Sequence, residues 1–183
     1  MMSLTRSIVW VAALQAFPVL CLAADTVRVG GEAMYPTKNI VQNAIHSKDH
    51  TTLVAALKAA GLVETLEGSG PFTVFAPTNA AFAALPEGTV STLLKPENKE
   101  TLVKVLTYHV VAGNLDGNTL MAMIREGDGK ACLKTVAGAS LTVKMNGDNL
   151  LVEDAKGDTA NITIKNVTQS NGVIHVIDHV LLP

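Results

Sequence analysis

Disulfides are the first thing this sequence lacks. Only Cys21 and Cys132 are present among 183 residues, and Cys21 lies in a stretch that reads as a removable leader. Arg6 is the only charge before Asp25, Ile8 to Leu22 are apolar, and Cys21-Leu22-Ala23 stands where a signal peptidase would cut. Cleavage of residues 1–23 leaves Cys132 without a partner in the mature chain, so the exported domain must be held by its core. A lipid anchor at Cys21 is the weaker reading because Leu20 occupies a position that wants a small residue. A retained membrane helix is also weaker, since the run is shorter than ~20 residues and Pro18 interrupts it. Cys132 reads as a small buried hydrophobe in a strand, with a reactive or intermolecular thiol as the alternative.

Positive charge is also sparse. Without Arg6 the balance is 13 basic to 16 acidic residues, with no basic block of five or more, which excludes nucleic acid as the expected partner. A second apolar span and a hydrophobic tail are missing, so the mature chain is expected to have no stable membrane anchor and to be secreted or periplasmic. Catalytic signatures are missing too. There is no Gly-x-Ser-x-Gly elbow, no phosphate-binding Gly-x-x-x-x-Gly-Lys loop, no Cys-x-x-Cys and no His-Glu-x-x-His. The expectation is a non-enzyme without a cofactor. On a regular strand His175 and His179 would stand about 13 Å apart, too far for one metal ion. His46 and His50 read as solvated. Asn161 and Asn166 begin glycosylation patterns, read as unoccupied because the Ala-rich chain with its short leader looks bacterial.

Aromatics make up only 4% of the chain, yet three of its four Phe fall between Gly70 and Pro86, in GPFTVFAPTNAAFAALP. Phe72 to Phe75 suit a half-buried strand, Ala76-Pro77 ends it, Thr78 or Asn79 can cap a helix, and Pro86 stops that helix. Residues 24–35 read as an extended, partly disordered lead-in. Thr37 is expected to cap a helix burying Ile40, Val41, Ala44 and Ile45, and Asp49 to cap one burying Leu53, Val54, Leu57 and Ala60. Gly61 should stop the latter in a left-handed turn, with Leu62 folding back onto Leu57. Thr89 is expected to cap a short helix through Leu94 and Pro96 to open a longer one, which carries Leu102, Val103, Leu106, His109 and Val110 on one face. Leu115 to Arg125 is ambiguous, with Met121 and Met123 as gap-fillers. Alternation then takes over: Leu141, Val143 and Met145 face one way, Asn146-Gly147 signals a hairpin, and Val173 to Leu182 reads as an interior strand. The architecture is α+β, a helical half against a β half.

The Gly70–Pro86 stretch resembles the first signature of fasciclin-like domains, and NGVIHVIDHVLLP from Asn171 to Pro183 resembles the second. The resemblance implies one fasciclin-like domain over residues 36–183, with about seven strands in a sandwich or wedge. It implies an exported adhesion or binding module that contacts cell-surface or matrix components, protein or polysaccharide. Tyr108 and His109, flanked by Leu106 and Val110-Val111, match a Tyr-His motif linked to adhesion in animal members, and Asp178 carries a similar implication. A hydrogen-bonded core pair is the competing reading of Tyr108 and His109, because His109 shares a helical face with Leu102 and Leu106. The alternative function is an envelope or stress protein holding a small ligand or lipid between its two halves.

Overall fold

The computed structural model describes residues 26–183; the leader reading of residues 1–23 lies outside them. The chain enters as a hairpin of β1 (Arg28–Val29) and β2 (Glu32–Ala33). Its turn residues Gly30 and Gly31 have φ of 63° and 82°, the paired positive values that a two-residue turn of this hand requires. A Cβ on Gly30 would also lie 2.8 Å from the Asp49 nitrogen. Val29 and Met34 are each only 3% exposed, so the described part of the expected lead-in, residues 26–35, carries a packed hairpin rather than a partly disordered arm.

Helices α1 (Ile40–Ala44), α2 (Thr51–Ala60) and α3 (Val63–Glu67) follow. Asn39, not Thr37, starts α1 through a reciprocal capping box with Gln42. The helix stops at Ala44, which leaves Ile45 at 48% exposure instead of in the core. Asp49 does not cap α2. Asn79, from a later helix, does so instead: its Oδ1 accepts from the Thr52 N–H at 3.0 Å while its Nδ2 donates to the Lys48 carbonyl at 2.8 Å. At the other end Gly61 is left-handed and the Leu62 N–H donates to the Leu57 carbonyl at 3.0 Å, the closing turn expected from the sequence.

The Gly70–Pro86 stretch forms β3 (Phe72–Pro77) and α4 (Asn79–Ala83), with the Thr78 hydroxyl accepting from the Ala81 N–H. Thr89 does not cap α5 (Thr89–Leu93) but is its first residue, after a left-handed Gly88 at the N-cap, and Pro96 opens a short 3₁₀ turn into α6 (Lys99–Tyr108). His109 is the C-cap of α6 and Val110 already belongs to β4 (Val110–Ala112), so the expected helical face is cut short. The ambiguous segment is α7 (Gly117–Glu126), capped by Asp116, whose Oδ1 accepts from the Thr119 N–H at 2.7 Å. Met121 and Met123 pack, partly buried, beside the sheet core.

Strands β5 (Lys130–Lys134), β6 (Ser140–Asn146), β7 (Asn149–Glu153), β8 (Thr159–Gln169) and β9 (Gly172–Ile177) complete the chain. The seven-stranded sheet runs β4-β3-β9-β8-β7-β6-β5. Only β3 and β9 are parallel, and one bridge, Val111 to Thr135, joins the outer strands into a nearly closed wedge. Strand β9 is central and buried throughout, but it ends at Ile177, and Asp178 and His179 lie in a bend. Met145 is 41% exposed because β6 runs out past the covered face at its hairpin end. Cys132 is exposed, not buried: Ala131 and Leu133 point inward on β5, and a period of two sends the residue between them outward.

Two apolar cores lie on opposite faces of the sheet. Val74, Ala76, Ile174 and Val176 face the helices, while Phe75 and Ile177 face the wedge interior with Leu141, Val143, Leu150 and Val152. Each fully buried side chain of this kind contributes roughly 1.5–3 kcal/mol, which is how the domain dispenses with a disulfide.

Candidate functional site

Tyr108 and His109 sit where α6 meets β4, and both are enclosed, at 0% and 3% exposure. His109 Nδ1 donates to the Val105 carbonyl at 2.8 Å, the open acceptor one turn back, and Nε2 accepts from the Leu181 N–H at 3.0 Å. Those two partners fix one neutral tautomer. Burial is the main cause of a pKa lowered from 6.5 to about 4, with the Val105 hydrogen bond and the Asp154 carboxylate opposing it.

The Tyr108 hydroxyl donates to the Ser140 carbonyl at 3.0 Å and accepts from the Ala155 N–H at 2.9 Å. Burial raises its pKa. Next to it is Asp154, a residue that motif reading passes over. The residue is 6% exposed, and its carboxylate accepts from the backbone of Lys156 at 2.9 Å, Asp158 at 3.0 Å and Leu182 at 3.0 Å. The Asp154-Ala155-Lys156-Gly157-Asp158 run carries the turn signal that could have located it. Together Tyr108, His109 and Asp154 fasten the last residues of the chain and the β7–β8 loop to the end of α6. Tyr108 and His109 are the hydrogen-bonded core pair of the competing reading, Asp154 joins them unforeseen, and the polar atoms of all three are turned toward backbone rather than outward.

Asp178 lies apart from this group. Its carboxylate accepts from the Asn161 N–H at 2.7 Å, the Asn161 side chain at 2.9 Å and His179 Nδ1 at 2.8 Å. Partial burial raises its pKa, but the hydrogen bonds from His179 and Asn161 outweigh that and hold it below the ordinary value. Asn161 is therefore occupied in the sheet. Asn166 has φ of 63° and accepts through its side chain from the Gly117 N–H.

The remaining histidines separate. His179 is exposed, whereas His175 is fully buried, stacks on Phe75 with centroids 5.7 Å apart and donates through Nε2 to the Leu115 carbonyl at 2.8 Å. His46 is exposed, but His50 is not solvated as expected: it is 3% exposed, with Nδ1 2.9 Å from the Ser47 hydroxyl. The 3₁₀ turn before α2, held by Asn79, folds it inward. Burial lowers the pKa of both His50 and His175. His50 and His109 line a cavity of about 30 Å³ between helices and sheet, otherwise mainly apolar. Among the described residues no group of three or more His, Cys, Asp or Glu is placed to hold a metal ion.

Residues 48–183 match the fasciclin domain family. The chain belongs to that family. Protein sll1483 of Synechocystis sp. is 50% identical over 144 residues, covering 79% of this chain and 73% of its own. The cell surface glycolipoprotein MPB83 of Mycobacterium bovis is 37% identical over 138 residues, covering 73% of this chain and 55% of its own. A solved fasciclin domain pair from the insect cell adhesion molecule fasciclin I superposes with a TM-score of 0.72 at 18% identity, over 80% of this chain and 51% of that one. That last likeness concerns the fold alone. The fasciclin architecture expected from the two signature stretches is the one observed, and in it both signatures serve the central strands β3 and β9. Among the described residues no helix is long and apolar enough to cross a membrane.

Proposed function

We propose that this fasciclin domain is an exported, non-enzymatic binding module that contacts a cell-surface or matrix component, protein or polysaccharide. The observation that carries the reading is the use made of the motif pair and its neighbour: Tyr108 and His109, with Asp154 beside them, all hydrogen-bond to backbone and act to hold the domain's shape. A polar set aimed at backbone supports a role presented by the outer surface rather than turnover in a pocket. The family membership and the cell-surface relative support the same direction. Tyr108 and His109 then shape neighbouring surface without touching the partner, and Asp178, partly exposed beside His179, is the candidate that a partner can reach.

The test is retention of envelope and matrix fractions by immobilised mature protein. Retention that survives Tyr108→Phe but falls with Asp178→Ala supports the assignment; no retention of any fraction overturns it. The lipid or small-ligand alternative meets a cavity of about 30 Å³, far below the roughly 300–1,000 Å³ of pockets that hold drug-sized ligands. Helices and sheet would have to part to admit one.

A further inference from the structure

Asn-Gly occurs twice in this chain, at Asn146-Gly147 and at Asn171-Gly172, and the fold treats the two copies oppositely. A glycine after asparagine leaves its main-chain nitrogen open to the asparagine side chain, because no Cβ stands beside the line of attack. By sequence both copies are reactive. Asn171 is locked against the reaction. Its Oδ1 accepts from the Ile40 N–H at 3.1 Å, its Nδ2 donates to the Leu66 and Gly68 carbonyls, and its own carbonyl accepts from the Phe72 N–H at 3.0 Å. Gly172 is pressed so close to Phe72 that not even a Cβ would fit. Turning the Asn171 side chain onto the Gly172 nitrogen would break three side-chain hydrogen bonds beside the central strands.

Nothing comparable holds Asn146 among the described residues. It is exposed at the end of β6 and pairs with Asn149 across a two-residue turn of Gly147 and Asp148. Gly147 has φ of 61°, nothing lies within 4 Å of where its Cβ would stand, and its N–H has no main-chain acceptor. In extended backbone the Asn146 side chain is held off the Gly147 nitrogen, but only the last pair of the hairpin has to open for the two to meet. Opening at a hairpin tip costs little, whereas opening a central strand costs much of the global stability.

We propose that Asn146 is a site of spontaneous covalent modification, closing on the Gly147 nitrogen to a succinimide that water opens to aspartate or isoaspartate, while Asn171 stays intact in the folded protein. The Gly147 nitrogen gives its proton to solvent base and bonds to the Asn146 Cγ; the Cγ–Nδ2 bond breaks and ammonia leaves. Water then adds to one of the two ring carbonyls, and the bond from that carbon to the Gly147 nitrogen breaks. Nothing is oxidised or reduced. Opening at Cγ leaves aspartate in an ordinary main chain, and opening at the main-chain carbonyl leaves isoaspartate. Either product sets a carboxylate beside Asp148. Isoaspartate also lengthens the main chain by one carbon, which takes the Asn146–Asn149 pair out of register. Val143 and Val152, paired further in and both at 0% exposure, keep the wedge closed.

The test is to age the folded protein at pH 6 and pH 8, digest it and map it by mass spectrometry, beside unaged protein and protein aged in guanidinium chloride. The expected result is a gain of about one dalton on the Asn146 peptide, at least about tenfold faster than on the Asn171 peptide. The gain should be faster at pH 8, resolve into two products of equal mass and release ammonia in step. In guanidinium chloride the two rates should converge. Amide exchange at Asn149 should quicken in aged protein while that at Val152 is unchanged. An Asn146 peptide that keeps its original mass overturns the inference, as do equal rates at the two sites in folded protein. Rates that stay apart in guanidinium chloride also overturn it, since they assign the difference to neighbouring sequence and not to the fold.

Discussion

His109 shows how one side chain links packing to pH. Neutral imidazole is needed because Nε2 must accept from Leu181, and a proton there would displace that bond. The pKa is about 4 folded against 6.5 for the ordinary side chain, so between those values the unfolded chain binds a proton that the folded chain does not. Stability is therefore unaffected by this group above pH 6.5, falls as pH drops toward 4, and is then level, a loss on the order of 3 kcal/mol. His50 and His175 shift the same way and steepen the fall. Urea midpoints taken from pH 7.5 to 4.5 should show this slope, and His109→Gln should flatten it by about one proton while lowering stability at pH 7 by about 1–3 kcal/mol. A second residue-scale expectation concerns Cys132: its outward position on β5 means that a maleimide should label the folded protein to completion without denaturant.

Elements here are joined by side chains that belong to other elements. Asn79 sits in the first turn of α4 yet serves the start of α2, so Asn79→Ala should cost about 1–2 kcal/mol in urea unfolding, more than an exposed Asn normally does. Asn171 does the same across the sheet: its Oδ1 accepts from the Ile40 N–H at 3.1 Å, and its Nδ2 donates to the carbonyls of Leu66 at 2.7 Å and Gly68 at 3.0 Å. Immediately after it, Gly172 lets β9 approach β3, since a Cβ there would lie 1.9 Å from the Phe72 carbonyl oxygen. Gly172→Ala must push the two central strands apart. A loss of about 3 kcal/mol or more, read as a large drop in the thermal midpoint, is the expected outcome.

For the molecule as a whole, the decisive feature is that β3 and β9 each contribute to both cores. Val74 and Ile174 face the helices, while Phe75 and Ile177, on the other side of the same strands, fill the wedge. Neither core can lose its centre without disturbing the other. Unfolding should therefore be a single transition, with far-UV circular dichroism and the near-UV signal of buried Tyr108 coinciding in urea. Separate transitions for helices and wedge would contradict this coupling.

Local chemistry was legible wherever a residue's partner is close in sequence. The Thr78 cap, the Gly61 stop with Leu62 returning to Leu57, the Asn146-Gly147 hairpin and the strand of Phe72 to Phe75 depend on neighbours within a few positions, and the two signature stretches carried the fasciclin fold with them. The alternation of β5 was legible too, although Cys132 was read from composition rather than from its phase. Other features depend on distant chain. His50 is buried because Asn79 fastens the turn around it, and β9 stops at Ile177 because Asp178 turns to Asn161. Tyr108 and His109 could be read either as surface or as core until the C-terminal residues and the β7–β8 loop were placed over them. The sequence by itself determined the α+β class, the family and the elements whose caps and turns lie within a few residues, because these follow from short-range sterics and patterning. Only the tertiary structure decided which polar side chains face backbone, because hydrogen bonds between residues 40 to 131 positions apart exist only after the sheet has closed.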